Sequence, residues 1–162
     1  MDLFNNAELI DESTKLSPSE AEEQFRLLIQ SEQSVSSKSQ SQIANEVGVK
    51  IRKYQRILSG QQPLSAALLN DLTTALGIDK PRAIFAIDRY KDWHRYYDPT
   101  LKVAVDLLPL VVDAFNADDM CSIEPMHPRA LEQLAKWIAE TIITHQEKIC
   151  ARREELDLMK VA

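Results

Sequence analysis

Apolar residues recur along this chain mostly at three- and four-residue intervals, the spacing of helix faces, and few stretches alternate as strands do. Ser17-Pro18-Ser19-Glu20 predicts a first helix, with a serine cap, a proline in the first turn and early acids, and Phe25, Leu28 and Ile29 as its buried stripe to about Gln33. Ser34 to Lys38 is a polar connector. From a Ser39 cap, Ile43, Ala44 and Val47 share one side of a short helix, which Gly48 ends because a residue just past a helix often needs positive φ. A second short helix, about 50–58, turns Val49, Tyr54 and Ile57 back toward the first and leaves Lys50, Arg52, Lys53, Gln55 and Arg56 outward. Ser65 to Leu76 is a helix stopped by Gly77, and Pro81 opens another that runs to about Trp93.

The C-terminal third is also helical. Leu101, Val105, Leu108, Val112 and Phe115 repeat at helical spacing, although Pro109 is expected to kink or split that segment. It is too apolar to stand bare and must pack on its own chain or on a second copy. Residues 116–128 read as a loop. A long helix follows from Pro128 to about Met159, with Ala135, Ile142, Ile149 and Leu156 in a strict seven-residue series. Leu131, Ile138, His145 and Arg152 alternate with them, so a helix-pairing seam is expected that weakens at the histidine and the arginine. The aromatic and basic run from Tyr90 to Pro99 reads as a packing junction in preference to a stacking surface for nucleic acid. The predicted fold class is all-α.

Composition narrows the class. The chain has 162 residues, 44% hydrophobic and 27% charged with three glycines, which suits one globular core or a small domain with an appendage. The longest apolar run, Val103 to Val112, is broken by Asp106 and Pro109 and is too short to span a bilayer. No basic segment leading into an apolar core opens the sequence, and Cys121 and Cys150 lack metal-ligand spacing; both point to a reducing cytoplasm. The net charge of −6 argues against a polyanion partner until its distribution is considered. Residues 1–33 hold two basic and eight acidic side chains, whereas residues 34–62 hold five basic and one acidic. Screening over about 8 Å lets such a basic segment bind phosphates while distant acids limit non-specific adhesion.

Residues 39–79 carry S-Q-x-x-I-A, then V-G-V at the corner, R-I-L-S-G, and P-L-S-A-A-L-L-N-D-L-T-T-A-L-G-I-D. In that order they resemble the Cro/phage-repressor (XRE-type) helix-turn-helix family. The resemblance implies that Gln40 holds a DNA phosphate and that Lys50, Ile51, Arg52, Gln55 and Arg56, on the second helix, read bases. Lys53 adds a cation for phosphate, and Gln61 and Gln62, in the loop after the second helix, either donate to the DNA backbone or simply face solvent. Two positions depart from the family pattern. Lys50 stands where a serine or threonine cap is usual, and Leu58 replaces a glutamate, removing one buried polar contact.

The expected organisation is an acidic arm over 1–16, a helix-turn-helix DNA-binding bundle over 17–93 and a helical oligomerisation or partner-binding region over 100–162. The expected function is a transcriptional regulator, in the simplest case a repressor, bound as a homodimer to an inverted repeat of double-stranded DNA. RNA polymerase is a further partner if the protein activates. Two alternatives stand beside it: an antitoxin whose C-terminal region grips a toxin, and a protein-interaction adaptor that uses the two helices only as scaffold. No nucleophile, base and carboxylate assemble into a catalytic set, so no enzyme and no cofactor are expected. Asp118, Asp119, Cys121, Glu124 and His127 do not match a metal-ligand spacing, so no metal is expected.

Overall fold

The computed structural model of the chain describes residues 16–117 and 124–161, with side chains as far as residue 157. The expected arm over 1–16, apart from Leu16, lies outside the described residues, as do Asp118, Asp119 and Cys121. The described residues form seven α-helices and a short 3-10 helix and contain no strand. The helices are α1 (Pro18–Val35), α2 (Gln40–Glu46), α3 (Ile51–Leu58), α4 (Ala66–Ala75), α5 (Lys80–Tyr90), α6 (Pro99–Asn116) and α7 (Pro128–Val161). The 3-10 segment, Trp93–Tyr97, lies between α5 and α6. None of the described helices is long and apolar enough to cross a membrane.

The chain divides into two compact units, with the boundary between Ala117 and Asp118. In the first, helix starts follow the capping residues. Ser17 and Ser39 each complete a capping box, with Glu20 and Gln42 respectively, and Ser65, Asp79 and Asp98 accept from the amides that open α4, α5 and α6. Leu28 and Ile29 of α1, Ile43 and Ala44 of α2, Tyr54 and Ile57 of α3 and Leu72 of α4 are almost wholly removed from solvent in one core. Lys38 fastens its rim. Its ammonium meets Glu46 at 2.7 Å and donates to the Ala75 carbonyl at 2.7 Å, where a cation suits the C-terminal end of α4.

Two helix boundaries differ from the expectation. α5 stops at Tyr90 and does not reach Trp93, because Lys91 takes a left-handed conformation (φ 59°) and its amide donates to the Ile87 carbonyl. Asp92 then caps a new 3-10 turn by accepting from the His94 amide at 2.9 Å. α6, in contrast, runs unbroken through Pro109. Pro109 lies on the helix's polar stripe with Lys102, Asp106, Asp113 and Asn116, at four- and three-residue spacing, and is exposed. The cost is one hydrogen bond of the ladder on the side that water can reach.

The Tyr90–Pro99 run packs as a junction. Tyr96 is buried, its hydroxyl accepts from the Asp79 amide at 3.1 Å, and the Arg82 guanidinium sits 4.1 Å from its ring centre. The Trp93 amide donates to Gln24 on α1 at 3.0 Å, and the Tyr97 hydroxyl donates to Glu32 at 2.6 Å. α6 packs its first turns against α5 and this segment and so belongs to the first unit, whereas the sequence grouping placed it with residues 100–162. Of α6 only Leu101 is buried, and Leu108, Leu110, Val112 and Phe115 are about half exposed or more.

The second unit is the helix α7. It is 34 residues long, about 51 Å at the helical rise. His127 opens it: its ring Nδ1 accepts from the Arg129 amide at 3.2 Å and its carbonyl from the Ala130 and Leu131 amides. Leu131, Trp137, Ile143 and Leu156 along α7 are at least half exposed.

Candidate nucleic-acid interface

α2 and α3 meet through a four-residue corner, residues 47–50. Gly48 adopts φ 70°, a conformation that carries little penalty only without a Cβ, and the Val49 amide closes the corner on the Ala44 carbonyl at 2.9 Å. Ile43 and Ala44 of α2 face Tyr54 and Ile57 of α3 in the core, so the orientation of α3 is fixed by packing and its remaining face is left to solvent. Lys50 occupies the N-cap in an extended conformation (φ −68°, ψ 140°) and makes no side-chain capping bond. Every other described helix of the first unit has its N-cap side chain bonded to a backbone amide.

Lys50, Arg52, Lys53, Gln55 and Arg56 are all exposed, as their spacing implies. Among the described residues none of these four cations has a carboxylate within ion-pair distance. Lys38, Arg26, Arg82, Lys91, Arg95 and Lys102 of the same unit each have at least one, whereas Lys80 and Arg89, on α5, also have none among the described residues. The positive charge of this face is therefore not internally neutralised. Gln40, first residue of α2, is exposed, and its carbonyl oxygen accepts from Gln55 Nε2 at 3.3 Å, which joins two of the candidate residues directly. Ile51 is divided between two roles: it is half-buried and packs against the core, leaving only part of its side chain outward. Gln61 is exposed but lines a cleft with Glu20, Glu22 and Glu23 of α1, apart from the cationic face. The Arg26 guanidinium, paired with Glu22 and Glu23, lines the same cleft.

α1 holds α3 along its length with polar contacts. The Tyr54 hydroxyl donates to Gln33 Oε1 at 2.9 Å, and Gln30 Nε2 donates to the Leu58 carbonyl at 2.6 Å. Burial pushes the Tyr54 phenol up to about 12, so it is a neutral donor through the ordinary pH range. Beyond α3, Glu22 accepts from the Leu64 amide at 2.8 Å while also pairing with Arg26 at 2.6 Å, and Glu23 bonds the other side of that guanidinium. Leu58 therefore has a polar tie to α1 through its backbone carbonyl, and its side chain is buried.

Two further residues, outside the set expected from helical spacing, lie beside Gln40 and Gln55. Gln30 and Gln33, at the C-terminal end of α1, share one recess with Gln40, Gln55 and Ser59. Their only sequence signal is a pair of amides three residues apart on a helix end, which is indistinguishable from ordinary solvated polarity. Elsewhere, no group of three or more histidine, cysteine, aspartate or glutamate side chains converges to hold a metal among the described residues, and His127 serves as a helix cap. Comparisons with models of protein families, with curated proteins and with solved structures find no match.

Proposed function

We propose that this chain is a sequence-specific double-stranded-DNA-binding regulator that reads the major groove with α3 and, in its simplest mode, represses by occupying a promoter. The observation that carries the reading is the set of four cations, Lys50, Arg52, Lys53 and Arg56, exposed on one face and without a carboxylate partner among the described residues. Cations left unneutralised on a rigidly seated helix suit phosphate contact and release of condensed counterions. Arg52 and Arg56 bring forked donors that match guanine O6 and N7, and Gln55 brings an amide that matches adenine. Gln40 is assigned to a phosphate beside it. The open N-cap at Lys50 leaves amides of the first turn of α3 without a side-chain partner, in keeping with an anion nearby.

One reading helix covers only a few base pairs, so the proposal includes a homodimer on an inverted repeat, with half-sites separated by about 34 Å. The exposed apolar side chains of α6 and of α7 offer surface for that association. Titration of a labelled duplex of arbitrary sequence at a series of salt concentrations tests the electrostatic part. Log affinity should fall linearly with log salt, with a slope of about −0.9 for each phosphate neutralised. A protein that does not bind duplex at low salt is not a DNA-binding regulator.

A further inference from the structure

The recess formed by Gln30, Gln33, Gln40, Gln55 and Ser59 carries hydrogen-bonding groups in a particular arrangement. Gln33 presents its carbonyl oxygen to the Tyr54 hydroxyl at 2.9 Å, and Gln40 presents its carbonyl oxygen to Gln55 Nε2 at 3.3 Å. A carboxamide has one acceptor end and one donor end, so fixing the oxygen also fixes where the NH2 group lies. In both residues the NH2 group has no protein partner among the described residues, which leaves four N–H bonds available at one recess. Gln30 does not add to this set in the same way, since its NH2 donates to the Leu58 carbonyl at 2.6 Å and holds the end of α3 against α1.

We propose that Gln33, from α1, is a DNA-contacting residue that together with Gln40 seats one backbone phosphodiester in this recess. The inference rests on the DNA-binding reading and extends the interface from α2 and α3 to α1. Neutral amides suit such a place. They hydrogen-bond the phosphate oxygens without displacing counterions, so they fix register on the duplex and leave salt dependence to the cations of α3. Tyr54 acts behind them as a positioning residue, because its buried hydroxyl holds the Gln33 oxygen and so aims the NH2 group outward.

The test compares wild type, Gln33→Met, Gln33→Glu and Lys53→Ala on one duplex across a salt series, with thermal unfolding of each. Gln33→Met removes the donors without adding charge and also the acceptor for the buried Tyr54 hydroxyl, a cost that its thermal unfolding reads, whereas Gln33→Glu keeps the acceptor for Tyr54 while replacing the NH2 group by an anionic oxygen. The expected result is a loss of about 3- to 10-fold in affinity for Gln33→Met with an unchanged salt slope. Gln33→Glu should lose more, at a melting temperature equal to that of wild type. Lys53→Ala supplies the contrast, a shallower slope. Wild-type affinity in Gln33→Met overturns the phosphate seat and leaves the reading of α3 intact. Absence of duplex binding by the wild-type protein removes both.

Discussion

The three cations of α3 and Lys50 at its N-cap are not equivalent, because their chemistry at the same exposed face differs. Arg52 and Arg56 carry planar forks and Lys53 a point charge. If α3 reads the major groove, Arg52→Ala or Arg56→Ala should cost about 1–3 kcal/mol on the preferred sequence and relax selection at one base pair per half-site. Lys53→Ala should weaken all duplexes alike and reduce the salt slope by about 1, which titrations on specific and arbitrary DNA would separate. Two glycines make a paired test of the scaffold. Gly48 and Gly60 both have positive φ, but a Cβ at Gly48 meets nothing within 4 Å whereas one at Gly60 comes 3.1 Å from Arg26 Nη1. Gly48→Ala should cost about 1–2 kcal/mol from backbone strain alone. Gly60→Ala should cost more, because it also presses on the Arg26 ion pairs with Glu22 and Glu23; denaturant unfolding measures both. Tyr54 gives a pH test. Its folded pKa, raised to about 12, lies above the ordinary tyrosine value of 10.0, so the native state holds that proton more tightly than the unfolded chain. Its contribution is complete below pH 10 and is lost as the pH rises toward 12, and Tyr54→Phe should flatten that part of the stability profile.

At the scale of the element, α3 is uncapped where its neighbours are capped, and this links stability to function. Lys50→Ser should supply the missing side-chain acceptor and raise stability by about 0.5–1 kcal/mol, while weakening duplex binding through loss of a cation. A variant that gained stability and kept full affinity would show that Lys50 does not face the phosphates. The starts of α1, α2 and α4 and the corner at Gly48 were legible in the sequence because each depends on one local signal, a serine cap or a positive-φ glycine. The break after Tyr90 was not, since it uses a lysine in a conformation that usually signals glycine, followed by an aspartate cap. Nor was the continuity of α6, for the effect of Pro109 depends on which side of the helix meets water. At the candidate site, the outward set on α3 followed from helical spacing. Gln33 did not, because its placement beside Gln40 and Gln55 depends on how α1 crosses α3, and Gln61, close in sequence to the basic helix, lies instead beside the acids of α1.

At the scale of the whole molecule, the net charge of −6 hides a separation of sign: the only strongly positive stretch is 34–62, which contains α2 and α3. Among the described acids of the first unit outside that stretch, Glu22, Glu23, Asp98 and Asp106 lie in ion pairs, and Glu20, Asp79 and Asp98 serve at helix starts. The apolar surface of α6 has the opposite character. Around the stripe of Lys102, Asp106, Asp113 and Asn116 the helix is apolar, and Leu108, Leu110, Val112 and Phe115 are about half exposed or more. In the proposed homodimer Leu108→Glu with Leu110→Glu should shift the mass measured by light scattering from dimer toward monomer and lower affinity for a two-half-site duplex more than for a single half-site. An unchanged mass would place the association elsewhere, on α7. The central claim, that α3 selects DNA sequence, is tested most directly by selection of binding sites from a random duplex library, with wild type and the Arg52→Ala/Arg56→Ala double variant run side by side. The account predicts enrichment of an inverted repeat with half-sites about 10 base pairs apart, lost or degenerate in the double variant. No enrichment by the wild type, or the same motif from both proteins, would contradict it.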